Sequence, residues 1–186
     1  MKTLEQQLSQ YAAYHRDRRN IATHFVGIPM IVFAVATLLA RPLFAVGGGV
    51  ALSPALLVSA ASVIFYLALD VRYGIAMAGF MGAAWWTGAD LAARSTALWL
   101  TFGIGLFVAG WIIQFIGHAF EGKKPAFVDD LVGLLIGPLF IVAEAGFALG
   151  LRTDVRDAIE RQAGPTRAGP VTVPDPSSVG SPARRR

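Results

Sequence analysis

The sequence predicts an all-α fold: a polytopic integral-membrane helical bundle of four to five apolar segments, with an N-terminal amphipathic helix and a disordered C-terminal tail. Composition is the first reason. Of 186 residues, 55% are hydrophobic and 15% charged, whereas a soluble domain carries about 25% charged residues. Spacing is the second, because the apolar residues gather into runs close to the roughly 20 residues that cross a bilayer. Punctuation is the third. Arg41-Pro42 with Gly47-Gly48-Gly49, then Asp70 and Arg72, then Asp90 and Arg94, divide the runs with turn residues and ions.

Residues 3 to 20 read as an amphipathic helix on the membrane surface. Leu4, Leu8 and Tyr11, with Tyr14 or His15, fall on one side at helical spacing. Arg16, Arg18 and Arg19 mark its water side. Ile21 to Ala40 is the first span, interrupted near its start by His24, Gly27 and Pro29. Ala51 to Leu69 is the second. Tyr73 to Gly88 is the third, rich in glycine and alanine for close helix packing, with Trp85-Trp86 as an interfacial belt. Thr96 to Gly117 is the fourth. Leu131 to Leu151 is a fifth apolar run, and Gly137-Pro138 and the acid Glu144 mark it as kinked or re-entrant. Residues 1–151 thus form one membrane-embedded helical domain. Residues 152–186 read as a short charged helix, Arg152 to Gln162, and a Pro/Gly/Arg-rich tail from Gly164 that is expected to be disordered.

Several function classes drop out. The chain has no cysteine, which excludes disulfides, zinc–thiolate sites, iron–sulfur clusters and a cysteine nucleophile. The net charge of +4 is concentrated in the tail and beside the spans, which argues for membrane topology and anionic lipid, not nucleic acid. The polar N-terminus is not that of a signal peptide. Ser53, Ser59 and Ser62 lie in or beside the second span and build no nucleophile elbow. Gly47 to Gly49 follows no expected strand and opens no phosphate-binding helix.

The chemistry gathers at one end. If the first four spans alternate, the start of the first and the end of the fourth share a face, and His15, His24 and His118 meet there. The basic residues at that face are Lys2, Arg16, Arg18, Arg19, Arg72, Lys123 and Lys124, against Arg41 and Arg94 opposite. Positive charge on that side places it in the cytoplasm. A fully spanning fifth run would carry the tail arginines outside, which favours a re-entrant one. The arginine- and alanine-rich character suggests a bacterial plasma membrane before an endoplasmic reticulum.

Three histidines in the whole chain, converging with a carboxylate, suit iron(II), zinc or manganese. A haem with two axial histidines is the alternative. His15 and His24 are nine apart and converge only across a bend, expected at Arg18-Arg19-Asn20, with Asn20 as the helix cap. On the fourth span Trp111, Gln114, His118 and Glu121 share a helical face. Gln114 stands as an outer donor or a substrate contact, and Glu121 as a ligand, an orienter or the partner of Lys123 or Lys124. Asp129 and Asp130 read as helix-start acids. Glu144 stands as protonated, as paired with Arg41 or Arg94, or as part of the site.

At these residues the sequence resembles a known family. Tyr14-His15, Asn20, His24 and Pro29, followed by Trp111, Gln114-Phe115, Gly117-His118, Glu121, Pro125-Ala126 and Asp129, are similar to the Mpo-type membrane family, formerly a domain of unknown function. The resemblance covers roughly residues 4 to 150 and departs at Arg18, where the family commonly carries proline. It implies an iron(II)-dependent dioxygenase that performs α-oxidation of long-chain 2-hydroxy fatty acids, using dioxygen to yield acids one carbon shorter. It further implies His15, His24 and His118 as iron ligands and Glu121 and Gln114 as their catalytic neighbours. Lys123, Lys124, Arg19 (or Arg16 or Arg18) and Asn20 would hold the substrate head. Phe25, Phe115 and the third span would form the acyl groove. The alternative is a non-catalytic membrane protein that binds haem, metal or lipid. The sequence leaves the oligomeric state open.

Overall fold

A computed structural model describes residues 2–48 and 50–169. Its elements are α1 (Leu4–Ala12), α2 (Arg18–Leu39), β1 (Phe44–Gly47), β2 (Val50–Leu52), α3 (Pro54–Leu69), α4 (Val71–Arg94), α5 (Thr96–Glu121), a 3-10 turn (Ala126–Val128), α6 (Gly133–Ala148) and α7 (Thr153–Ala163). The polar residues between the apolar runs are helix caps. Asp17, Ser53, Asp70 and Ser95 each accept a hydrogen bond from a first-turn amide of α2, α3, α4 and α5 respectively, satisfying donors that a helix start leaves free. Gly122, with φ +69°, closes α5 in a conformation that favours glycine.

The expected spans are realised unequally. Among the described residues, α2 and α5 are individually long and apolar enough to cross a membrane. The 16 residues of α3 reach about 24 Å, short of about 30 Å of hydrocarbon. Helix α4 has the length, but its glycines, tryptophans and terminal ions dilute its hydropathy. The loop expected from Arg41 to Gly49 holds instead a two-stranded antiparallel ribbon, β1–β2.

Glycine brings α2 and α5 into contact. A Cβ on Gly27 would stand 2.9 Å from the Gly110 carbonyl oxygen, and one on Gly117 would stand 2.0 Å from Thr23 Oγ1. Small residues therefore set this antiparallel crossing, and it faces the start of α2 toward the end of α5. In the third expected span, Gly88 packs against Ala36 and Thr37, whereas Gly79 and Gly82 meet nothing.

Two boundaries move. The helix expected over residues 3 to 20 stops at Ala12, and α2 begins at Arg18. The bend lies at residues 13–17, ahead of the expected Arg18–Asn20. Asp17 is the cap, and Asn20 is a buried residue inside α2. Asp17 takes that place because its carboxylate accepts from the Arg19 amide at 2.8 Å while pairing with the Arg19 guanidinium. That pairing holds its carboxyl below the ordinary aspartate range.

Helix α6 is tied to the histidine end by the residues on both sides of it. The acids before it join the histidine end, where Asp129 accepts from Tyr14 Oη at 2.6 Å and Asp130 pairs with Lys2 at 3.5 Å. Arg152, just after it, pairs at 2.9 Å with Asp70, the cap of α4 at the same end. Both ends of α6 are thus tied to one face, and α7 turns away at 116°. Glu144 pairs with Arg16 at 3.6 Å; its expected partners Arg41 and Arg94 lie at the opposite end, on Ala92 and Asp90. The core sits at the histidine end, where Leu8 and Tyr11 of α1, Tyr66 of α3, Met77 of α4, Phe140 of α6, and Val155 and Ile159 of α7 pack as one cluster. Residues 164–169, read from sequence as the start of the disordered tail, are placed against Arg16–Arg18; the rest of that tail lies outside the described residues.

Because the native chain has no cysteine, single-cysteine variants test this topology. Asp130→Cys and Thr153→Cys in vesicles should react with an impermeant maleimide from the same side, and Leu43→Cys from the other. Labelling of positions 130 and 153 from opposite sides would make α6 a crossing helix.

Candidate metal centre

The three histidines come from three pieces of chain and meet. His15 stands in the α1–α2 bend, His24 in the second turn of α2 and His118 in the last turn of α5. Their exposures are 0%, 1% and 7%. Ring centroids are 4.4 Å apart for His15–His24 and 5.0 Å for each pair with His118. One ligand atom from each ring lies within 4.8 Å of the other two.

Their hydrogen bonds assign the tautomers. His15 Nδ1 lies 2.7 Å from the Tyr11 carbonyl oxygen and His24 Nδ1 lies 2.8 Å from that of Asn20. A carbonyl only accepts, so both Nδ1 atoms carry the proton and both Nε2 atoms present bare lone pairs. Those two Nε2 atoms face each other at 3.0 Å. Burial, followed by the neighbouring His24, pushes His15 well below the ordinary histidine range, so it stands neutral, the form that ligates metal. Tyr11 stacks flat on the His15 ring at 4.1 Å. His118 Nδ1 is buried without a hydrogen-bond partner.

This donor set fits a metal ion. Two nitrogens each about 2.1 Å from one ion and at right angles would be about 3.0 Å apart, the observed spacing. Facing lone pairs repel, and a shared cation removes the repulsion. Carbonyl acceptors behind two of the rings are the outer-shell arrangement that orients ligating imidazoles.

Glu121 orients the bend. Its side chain is fully buried, and one oxygen accepts from the amides of Arg16 at 2.9 Å and Asp17 at 2.7 Å and from Asn20 Nδ2 at 3.2 Å. The other accepts from Arg167 at 3.0 Å. Lys123 and Lys124 do not contact Glu121. Lys123 donates to the Ala13 carbonyl at 2.8 Å and Lys124 to Asp129 at 2.5 Å. Donation from Lys124 and Tyr14 keeps Asp129 below the ordinary aspartate range.

A cavity of about 70 Å³ adjoins His24 and His118. Gln114 completes its polar wall; Ile31, Trp111, Phe127 and Leu134 supply much of the apolar one. Gln114 is buried and its Oε1 has no partner. Leu134 is 50% exposed, and Val128 and Leu131 beside it are more so, so the mouth lies among apolar residues at the α6 entrance. None of Lys123, Lys124, Arg19 and Asn20 lines the cavity. Arg19 is engaged with Asp17 and lies over Phe120, and Asn20 with Tyr14 and Glu121. Phe25 and Phe115 face outward, at 40% and 54% exposure.

The family described as "2-hydroxy-palmitic acid dioxygenase Mpo1-like" matches residues 1–149. The chain belongs to the Mpo1-like family. A curated relative, "2-hydroxy-palmitic acid dioxygenase MPO1" of Saccharomyces cerevisiae, is 34% identical over 161 residues, covering 84% of this chain and 87% of that protein. No solved structure matches. All three histidines, Gln114 and Glu121 lie inside the Mpo1-like match, whereas Arg167 lies beyond it. Tyr11, Asp17 and Arg167 were missed as site residues in the sequence. The four-residue steps Tyr11–His15 and Asn20–His24 are legible there, but the carbonyl bonds they support need a folded bend.

Glu121→Gln would place an amide NH₂ against the donors that converge on the carboxylate. Hydrogen bonds to a charged group contribute about 1.5–3 kcal/mol each, so the variant should lose on the order of 3 kcal/mol of stability, read by denaturant unfolding in detergent. A variant as stable as the native chain would remove Glu121 from this role.

Proposed function

We propose that this protein is an iron(II)-dependent dioxygenase of long-chain 2-hydroxy fatty acids, releasing the acid one carbon shorter. One observation carries the chemistry: two bare histidine Nε2 atoms 3.0 Å apart beside a third buried histidine, in a chain of the Mpo1-like family. His15, His24 and His118 would hold the metal. Three neutral nitrogen ligands leave open positions, and iron(II) there would supply the activation of dioxygen and hydroxy acid.

The overall reaction balances without another reductant. A 2-hydroxy acid and dioxygen give the shortened acid, carbon dioxide and water. The hydroxyl-bearing carbon becomes the new carboxyl, the old carboxyl leaves as carbon dioxide, and both oxygen atoms of dioxygen are fully reduced.

The chain's own residues read the substrate head. Gln114 offers an amide N–H to the carboxylate and an unpartnered Oε1 to the 2-hydroxyl, so its donor and acceptor match the two groups. The four residues expected to hold the carboxylate are engaged elsewhere, and Gln114 takes that role. Ligand pockets for whole drug-sized molecules run to about 300–1,000 Å³. At about 70 Å³ this cavity accommodates the head and first carbons, and the tail extends past Leu134 into lipid. We infer that the centre opens on the cytoplasmic side of a membrane, because the flanking basic residues collect at that end, and that this is a bacterial plasma membrane before an endoplasmic reticulum, on the chain's arginine- and alanine-rich character.

Purified protein loaded with iron(II) should consume oxygen with 2-hydroxypalmitate and release pentadecanoate. His24→Ala and His118→Ala should lose both iron and turnover. Gln114→Leu should keep the metal and lower kcat/KM by about 10- to 100-fold, the range of one or two strong hydrogen bonds. Protein that binds metal or haem and never turns over the acid would favour a non-catalytic binding role.

Tail length should matter little. 2-Hydroxylaurate, 2-hydroxypalmitate and 2-hydroxystearate should agree in kcat/KM within about tenfold, less than a closed pocket extracts from a few methylenes. A sharp optimum at one length would require an enclosed acyl channel.

A further inference from the structure

The segment after α7 runs back along the bend that carries His15. The Arg167 amide donates to the Arg16 carbonyl at 2.7 Å, and the Arg167 carbonyl accepts from the Arg18 amide at 2.9 Å, a parallel bridge across Asp17. The Arg167 guanidinium donates to Glu121 Oε1 at 3.0 Å. Arg16, buried at 4% exposure, donates from Nε to the carbonyls of Ala12 and His15 and from Nη1 to Gly164. The strap therefore grips both the backbone of the bend and the carboxylate that orients it.

We propose that Arg167 is a positioning residue for the metal centre, holding His15 in register with His24 and His118 through Glu121 and the Asp17 bridge. The proposal rests on the reading that the three histidines hold a metal. His24 and His118 ride on α2 and α5, whose crossing is set by Gly27, Gly110 and Gly117. His15 rides on a bend with no helix of its own, and its orientation depends on what clamps residues 13–18. Lys123 clamps Ala13, Glu121 clamps Arg16 and Asp17, and the strap clamps Arg16, Arg18 and Glu121 itself. Among its hydrogen bonds, Arg167 supplies the one donor on Glu121 Oε1; without it half of a buried carboxylate loses its partner, a costly state that the bend relieves by shifting. The family match ends at residue 149, so Arg167 lies outside it while the groups it grips lie inside.

The test compares the full-length native protein with Arg167→Ala, Arg167→Lys and a chain ending at Ala163, each titrated in detergent with cobalt(II) alone and followed by its visible absorption. Arg167→Ala should weaken cobalt binding, by no more than the about 10- to 100-fold that loss of a direct partner of a ligand costs, and should alter band shape and intensity as the third imidazole shifts. Helical content should stay near native, and the midpoint of thermal unfolding should fall by less than in Glu121→Gln, since one donor is lost and the carboxylate's other donors remain. Arg167→Lys restores the charge on Glu121 and should recover part of the affinity, whereas the shortened chain, which loses the backbone bridge as well, should bind more weakly than Arg167→Ala. Native affinity and spectrum in Arg167→Ala would overturn the proposal. The lysine variant keeps it falsifiable if the shorter chain does not fold: lysine and alanine variants with identical spectra and affinity would also overturn it. Failure of the native protein to bind cobalt or iron removes the metal reading, and the proposal with it, a result distinct from equal binding by native and variant.

Discussion

A buried carboxylate must be surrounded by donors, and the organisation of this protein's functional end follows from how Glu121 meets that demand. It stands at the last residue of α5, three positions after His118, and its oxygens gather two amides of the α1–α2 bend, an amide of α2 and a guanidinium from beyond α7. One side chain thereby joins three stretches of chain that are distant in sequence: the end of α5, residues 16–20 and the segment after α7. Each donor is itself buried or half-buried, so the desolvation of the carboxylate is offset only while all of these stretches are in place. The bend that they define is the one that delivers His15.

The site so built lies where a 2-hydroxy fatty acid is most easily met. Its three imidazoles are enclosed, its neighbouring cavity carries one amide, and the residues around the mouth are apolar and outward-facing. Helix α6 contributes to this arrangement because both of its ends return to the histidine face. A helix crossing the bilayer would carry Glu144 and Arg152 away from Arg16 and Asp70. A helix held at one face by Asp129, Asp130 and Arg152 instead walls the cavity. An amphiphile can then present its head to the centre without drawing its whole tail out of the membrane.

Two features of the bundle divide the work. The α2–α5 crossing, made close by Gly27, Gly110 and Gly117, gives His24 and His118 a mutual placement set by close approach at small residues. The polar network around Glu121, Arg16 and Arg167 holds the bend that carries the third histidine, His15. Rigid small-residue packing is insensitive to charge. The network, in contrast, depends on charge and hydrogen bonding, with Arg16 Nη2, Asn20 Oδ1 and Arg167 Nε left buried without a hydrogen-bond partner, and it reaches past the residues that match the family.

The helical, membrane-embedded class, the order of the apolar runs and the meeting of the three histidines were legible in the sequence. Hydropathy, breakers and alternation are local or nearly local properties, and each follows from residue type and spacing. The residue pattern around His118 carried the family as well. The position of the bend was legible only to within a few residues, because Asp17, Arg18 and Asn20 are all plausible helix starts and the choice depends on Glu121, over a hundred positions away. For the same reason the partners of Lys123, Lys124, Glu144 and Arg167 were not legible. An ion's partner is decided by which charged groups the packing leaves within a few ångströms, and no local pattern encodes that. The sequence by itself determined which runs are apolar helices and that the three histidines gather at one end. Only the tertiary structure decided which groups aim those side chains and which are left free to meet a substrate, because that depends on long-range contacts that residue spacing does not carry.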